Sequence, residues 1–268
     1  MRVRLLGTGA AEGIPAWYSG SRVSEAARVL GGREVRTRCS ALVDGVLKLD
    51  LGPDSFAQMR RDGLDARDWL ALIFTHTHDD HFALDEIQYG LPPFNQESYL
   101  GYTIYGNEAI CHRLAERYPD WPIELVQTRS FESYSLAEYT ITPVSAYHME
   151  HEDAQNILIQ RDGRTFLYGT DTGIWRESTW EFLASYRLDA LVLECTAGQL
   201  EADYWGHLGL TSFLQVVERL RTSGILKPEA RVVSTHHSHQ GEMTYAELSE
   251  ALTPHSVKAG YDGYEFEV

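Results

Sequence analysis

The sequence predicts an α/β fold of four layers, an αββα sandwich in which two β-sheets lie face to face with helices outside them. Three observations carry this expectation. Short β-rich runs alternate with helical patterns from one end of the chain to the other. Hairpin-like strand pairs are mixed with strand–helix units, which fits neither a pure sandwich nor a pure doubly wound sheet. The 268 residues, 43% hydrophobic and 11% aromatic, suit one domain over residues 1–268 with a substantial core.

Runs rich in β-branched, aromatic and aliphatic residues place strands at 3–6, 41–43, 47–49, 72–74, 102–105, 139–142, 156–160, 165–168, 190–194, 231–234 and 263–267. Helical periodicity places helices at 54–62, 84–90, 107–117, 176–185, 211–222 and 244–251. Thr211 and Ser212 read as the cap of the fifth of these. The stretch 18–38, rich in Gly, Ser and Arg, reads as a solvated loop or lid.

Composition narrows the function. The net charge is -16, and Lys48, Lys227 and Lys258 are the three lysines. Extended nucleic acid is therefore not an expected partner. No apolar run approaches the roughly 20 residues that cross a bilayer, and the N-terminus passes straight into a strand without a leader-like segment. A cytoplasmic protein is expected, and a homodimer is compatible with the sequence. Cys39, Cys111 and Cys195 are too few and too far apart for a disulfide framework, and read as small buried hydrophobes.

The densest chemistry lies in Thr75-His76-Thr77-His78-Asp79-Asp80-His81, directly after the apolar run 70–74. Residues two apart on a strand share a side, so His76 and His78 are expected to point at one ion where the strand ends. Asp80 and His81 follow in the turn and can serve a neighbouring ion. His148, Asp171, His236 and His237 also fall where strand runs end, the edge on which side chains from several strands converge. Small residues flank Asp171 in Gly169-Thr170-Asp171-Thr172-Gly173 and permit close approach to ions.

A glycine-containing first loop, His-x-His-x-Asp-His, a later His, the Asp in Gly-Thr-Asp-Thr-Gly and a final Thr-His together resemble the metallo-β-lactamase-fold hydrolases, over nearly the whole chain. The resemblance implies one divalent ion held by His76, His78 and His148, a second held by Asp80, His81 and His236, and Asp171 bridging both. Zn²⁺ suits such imidazole-rich sites, with Mn²⁺ or Fe²⁺ admissible beside the carboxylates. His151 competes with His148, and His237 with His236, on sequence alone.

Within that superfamily, Gly7-Thr8-Gly9-Ala10-Ala11-Glu12-Gly13-Ile14-Pro15-Ala16-Trp17, Arg38-Cys39-Ser40 and Thr235-His236-His237-Ser238-His239 resemble the PhnP-type cyclic phosphodiesterases. That branch carries a Cys-x-Cys-x-x-Cys segment which joins a late His in a structural zinc site. Here Ser19, Ser21 and Ser24 stand at that spacing, so the accessory zinc is expected to be absent although His239 remains. His207, in Trp205-Gly206-His207-Leu208-Gly209, matches the branch's histidine that faces the substrate phosphate.

The function implied is hydrolysis of a small phosphodiester, cyclic ones included, by water activated on two ions, with Asp80 and His207 as catalytic residues. Asp79 is a further candidate for orienting the water. Hydrolysis of a thioester or carboxylic ester is the second enzymatic reading, and a metal-binding regulatory protein without turnover is the reading from another class. A tRNA-processing endonuclease would need a basic arm that the sequence lacks, and an iron-dependent redox member would declare itself by metal content.

Overall fold

In the computed structural model, which describes residues 1–95, 102–202 and 204–268, the strand runs assemble into two seven-stranded sheets. The first is built from β1 (Arg2–Gly7), β2 (Ser40–Val43), β3 (Leu47–Leu49), β4 (Ala71–Ile73), β5 (Tyr102–Gly106) and β6 (Ile123–Gln127). The second is built from β7 (Tyr134–Leu136), β8 (Tyr139–Ser145), β9 (Gln155–Arg161), β10 (Arg164–Gly169), β11 (Leu188–Glu194), β12 (Leu226–Thr235) and β13 (Val257–Ala259). The C-terminal β14 (Glu265–Glu267) returns to pair antiparallel with β1. The spatial orders are β14-β1-β2-β3-β4-β5-β6 and β13-β12-β11-β10-β9-β8-β7.

Alternation along the strands builds the layers. Phe166 and Tyr168 of β10 pack between the sheets with Val3, Leu5, Ile73, Ile157 and Val192. Leu167, one residue out of phase, faces the opposite way and packs with Trp180, Phe213, Val217 and Leu248. Those four belong to α4 (Glu177–Leu183), α5 (Leu210–Thr222) and α6 (Tyr245–Leu252), which cover the second sheet. Ile110 and Leu114 of α3 (Glu108–Arg117) cover Leu72 and Ile104 on the outer face of the first. The four-layer αββα arrangement expected from the sequence is therefore present.

Three strands escaped the sequence reading, β6, β7 and β13. The first two are half-buried edge or near-edge strands, so neither shows a run of apolar residues. The stretch expected as a loop contains α1 (Arg22–Leu30), capped by Ser21, which accepts from the Ser24 amide at 3.2 Å. Only Val23, Ser24 and Ala27 of this helix are buried, so it offers a narrow apolar stripe. The segment Leu84–Gly90 is 3₁₀ rather than α-helical. Helix α5 begins one residue early, with Gly209 at the cap and Ser212 Oγ accepting the Gly209 amide at 3.0 Å. All three cysteines are buried and free, as expected. Among the described residues, no helix is long and apolar enough to cross a membrane.

Strand direction places the chemistry. β10, β11, β12 and β13 run parallel, and β8 runs with them because β9 is antiparallel to both β8 and β10. The C-terminal ends of β8, β10, β11 and β12 therefore share one edge. His148, Asp171, Glu194 and His236 lie at or just beyond those ends.

Candidate metal centre

The loop after β4 is the base of the site. The strand stops at Ile73, so His76 and His78 stand on irregular backbone rather than on the strand end. Hydrogen bonds fix this loop in place of strand pairing. Thr75 donates its amide and its hydroxyl to Asp50 at 2.9 and 3.0 Å, and its carbonyl accepts from the Gln155 amide at 2.9 Å. Thr77 donates its hydroxyl to Glu152, and its carbonyl accepts from Arg113 at 3.1 Å. The His81 and Phe82 amides both donate to the His78 carbonyl. Gly52 is required beneath this turn, since a Cβ there would sit 2.0 Å from the Asp80 carbonyl oxygen.

Seven of the expected residues converge. His76, His78, His148 and Asp171 form one group, Asp80, His81, Asp171 and His236 another, and the donor atoms within each group lie within 4.8 Å of one another. Asp171 faces both. Its Oδ2 is 3.4 Å from His76 Nε2 and from His148 Nε2, while its Oδ1 is 2.9 Å from His236 Nε2 and 3.4 Å from His81 Nε2. Asp80 Oδ2 is 3.1 Å from His81 Nε2. His151 is exposed and outside both groups, whereas His148 belongs to the first. His237 is buried elsewhere, its ring nitrogens near Ser234 Oγ and the Cys195 carbonyl, whereas His236 belongs to the second. Asp79 is exposed and also outside both groups.

The outward ring nitrogens are held by a second layer of partners. His81 Nδ1 is 2.7 Å from Asp50 Oδ2, His148 Nδ1 donates to the Gly206 carbonyl at 3.0 Å, and His236 Nδ1 is 2.9 Å from Thr196 Oγ1. This leaves the inward atoms facing one another. Nδ1 of His78 and Nε2 of His148 approach to 3.1 Å, and the two Nε2 atoms of His81 and His236 to 3.4 Å. His76 Nε2 and Asp80 Oδ2 are buried without any hydrogen-bond partner. Inward-facing lone pairs and orphaned buried acceptors of this kind fit divalent cations, and the five imidazoles with two carboxylates are a suitable donor set.

The two carboxylates draw positive charge into this cluster. Burial opposes ionisation of Asp171, yet His236 and His81 hold it well below the usual carboxylate range. Burial likewise opposes charge on His81, but Asp171, Asp80 and Asp50 carry it well above its ordinary value. His148 is pushed down by burial to about 3, which keeps its imidazole neutral and its lone pair available. Backbone geometry marks the same places. Asp50, Asp171 and His236 all adopt left-handed conformations, with φ of 57°, 46° and 55°. Each such non-glycine residue stores strain of roughly 1–3 kcal/mol where surrounding contacts over-determine it.

His207 lies beside the two groups. Its ring centroid is 4.9 Å from that of His148 and 5.5 Å from that of His236. Two residues were missed from sequence, Asp50 and Glu194. Each is an acidic residue in an apolar strand context, 47–51 and 188–195, and that is the signal that could have found them, because a buried carboxylate needs donors.

A model of the β-lactamase superfamily domain matches residues 46–237. The chain belongs to the metallo-β-lactamase superfamily. It is accordingly a metal-dependent hydrolase by family, with His and Asp clusters suited to divalent ions. Solved structures of the same fold include a diphosphatase from the PhnP family, 23% identical with a TM-score of 0.77, covering 100% of this chain and 98% of that one. Zn²⁺-bound PqqB from Methylobacterium extorquens is 17% identical, TM-score 0.78, with both chains covered in full. Human tRNase Z, short form, is 17% identical, TM-score 0.67, covering 100% of this chain and 99% of that one. No curated protein matches the chain by sequence.

Proposed function

We propose that this metallo-β-lactamase-fold protein is a phosphodiesterase acting on a small, monomeric phosphodiester. His76, His78, His148 and Asp171 would hold one divalent ion, and Asp80, His81, His236 and Asp171 a second. Ions bound there, zinc by donor preference, would supply Lewis acidity that brings the pKa of water toward neutrality and draws charge from phosphoryl oxygens.

The observation that carries the reading is the Glu194–His207 pair. His207 lines the hollow of about 300 Å³ that also exposes His78, Asp80, Asp171 and His236. Its Nδ1 is 2.7 Å from Glu194 Oε1. Burial lowers its affinity for a proton, but Glu194 outweighs burial and raises it. With Nδ1 committed to Glu194, Nε2 is the atom left to deliver a proton. In hydrolysis the water oxygen bonds to phosphorus, the bond from phosphorus to the leaving oxygen breaks, the proton from His207 Nε2 caps that oxygen, and the proton shed by the attacking water passes to solvent, from which His207 is reprotonated. A metal-loaded chain with this reading hydrolyses bis(p-nitrophenyl) phosphate and small cyclic phosphodiesters. His207→Ala then lowers kcat for the cyclic phosphodiesters, whose alkoxide leaving group needs a proton, by about 10²–10⁴-fold, with a smaller loss for the p-nitrophenyl ester, and Asp80→Ala abolishes turnover of both. Turnover of thioesters alone, or phosphodiester activity indifferent to both substitutions, overturns it.

A further inference from the structure

The hollow that holds the metal ligands does not end at His207. Two others share that residue as a wall. One, of about 290 Å³, is lined by Tyr147, Ile174, Glu201, Tyr204, Trp205 and neighbours. The other, of about 220 Å³, connects through Thr196, Ser238 and Gln240, which also line the metal-ligand hollow. Together they make one cleft, with His207 at its waist.

Its walls have a distinct chemistry. Tyr147 and Trp205 lie with ring centroids 4.3 Å apart, and Tyr204 and Trp205 at 5.0 Å, a continuous aromatic bank. Tyr204 donates its hydroxyl to the His148 carbonyl and so ties this bank to a metal-ligand loop. Ile174 and Tyr204 remain 47% and 42% exposed, a large apolar area left open beside a polar centre. Glu12 stands at the mouth of the metal-ligand hollow and Glu201 on the aromatic side. Among the described residues lining all three hollows there is no lysine or arginine. Arg176 stacks on Tyr147 with its Cζ 4.7 Å from the ring centroid, but lies outside the lining.

From this we infer that the substrate is a phosphodiester with one phosphoryl group and one neutral, ring-bearing ester arm, which lies on the Tyr147–Tyr204–Trp205 bank. The inference rests on the phosphodiesterase reading and narrows it. The single phosphoryl group sits among the metal ligands, where bound divalent ions would concentrate positive charge. Apart from His207, whose charge is engaged by Glu194, a second phosphoryl group would lie along walls that offer two carboxylates and no lysine or arginine, so di- and polyphosphates are disfavoured by like-charge repulsion. Flat rings gain contact area and stacking on the bank at little cost in side-chain entropy.

A matched pair of substrates tests the charge. Thymidine 5′-(p-nitrophenyl phosphate) and its 3′-phosphorylated analogue share ring, bond and leaving group and differ by one phosphoryl group. The metal-loaded chain is expected to prefer the first in kcat/KM by on the order of tenfold or more. Glu201→Lys and Glu12→Lys are expected to narrow that ratio. Trp205→Ala raises KM for the first substrate with kcat largely kept, whereas Trp205→Phe restores KM. Quenching of tryptophan emission by thymidine 5′-phosphate, weakened in Trp205→Phe, reports the ring's seat independently of turnover. Equal or better turnover of the 3′-phosphorylated substrate, a ratio indifferent to both lysine variants, or quenching unchanged in Trp205→Phe overturns the inference while leaving the phosphodiesterase reading standing. Failure to cleave any phosphodiester overturns both, and is told apart because neither member of the pair then turns over.

Discussion

Glu194 holds His207 by its Nδ1 at 2.7 Å, and is itself held by four other donors. Its Oε1 also accepts the Thr172 amide at 3.1 Å, and its Oε2 accepts the Thr196 amide, the Thr196 hydroxyl and the Leu208 amide at 3.0, 2.6 and 3.1 Å. Fully buried and so surrounded, the carboxylate is a fixed base plate for one imidazole.

Glu194→Gln places an amide NH₂ where every neighbour is a donor. The variant is expected to lose about 1–3 kcal/mol of stability and, separately, to lower kcat for phosphodiesters with little change in KM. The kinetic part runs through His207. In a double-mutant cycle with His207→Gln, the double variant should therefore be no slower than His207→Gln alone. Additive losses in kcat would show that Glu194 acts on the reaction by another route.

Asp50 plays the corresponding part for the metal ligands, since one carboxylate orients His81 and, through Thr75, the loop that carries His76 and His78. Asn tolerates the left-handed backbone at this position about as well as Asp, so Asp50→Asn isolates the side-chain effect. Metal affinity in competition with a chromophoric chelator should drop by about 10–100-fold. Undiminished affinity would mean that the loop holds its shape without this anchor.

Lys48 gives the fold a pH dependence of its own. It is fully buried, its ammonium donating to the Leu49 carbonyl at 3.4 Å and to the Asp50 carbonyl. Burial lowers its pKa from 10.5 to about 7, against a partial upward pull from Asp50 and Cys39. Between those values the unfolded chain binds more protons than the folded one, so this group makes stability rise with pH from about 7 to 10.5. The steepest slope for one proton is about 1.4 kcal/mol per pH unit. Lys48→Met removes the contribution. Urea denaturation should show the variant's advantage over the native chain largest at pH 7 and shrinking toward pH 10. Parallel stability curves for the two proteins would exclude it.

The parts of this fold written in local residue order are legible in the sequence. The run 70–74 followed by His76, His78, Asp80 and His81 marks a strand leading into a cluster of metal-binding residue types, and Asp171 stands among small residues. What escaped depends on partners distant in sequence. Asp50 is explained by His81, 31 residues away, and Glu194 by His207, 13 away. Helix α1 escaped because its burial is confined to Val23, Ser24 and Ala27, too few to set a period. His76 and His78 do stand in one group, but beyond the end of β4, so strand alternation does not align them. Loop hydrogen bonds from Thr75 and Thr77, rather than pleating, bring the two rings within 4.6 Å.

Ser19 and Ser21, two of the three serines that stand where the PhnP-type resemblance implies thiols, form a polar knot with His239, while Ser24 Oγ accepts the Ala16 amide. His239 Nδ1 lies 3.0 Å from Ser21 Oγ and 3.3 Å from Ser19 Oγ, and Ser19 Oγ accepts the Ser21 amide at 3.1 Å. Ser21 is also the cap of α1, so the knot ties the start of that helix to the turn after His236 and His237. Hydroxyl oxygens beside a single imidazole are a poor donor set for zinc, and the hydrogen bonds already occupy them. Ser21→Ala should therefore cost about 1 kcal/mol, the usual loss of a serine cap, visible as a lower melting temperature with or without added zinc. Metal per chain, measured by elemental analysis, should be the same in His239→Ala as in the native protein, whereas His236→Ala should lower it. A His239→Ala variant that loses metal would show that a third ion binds at the knot.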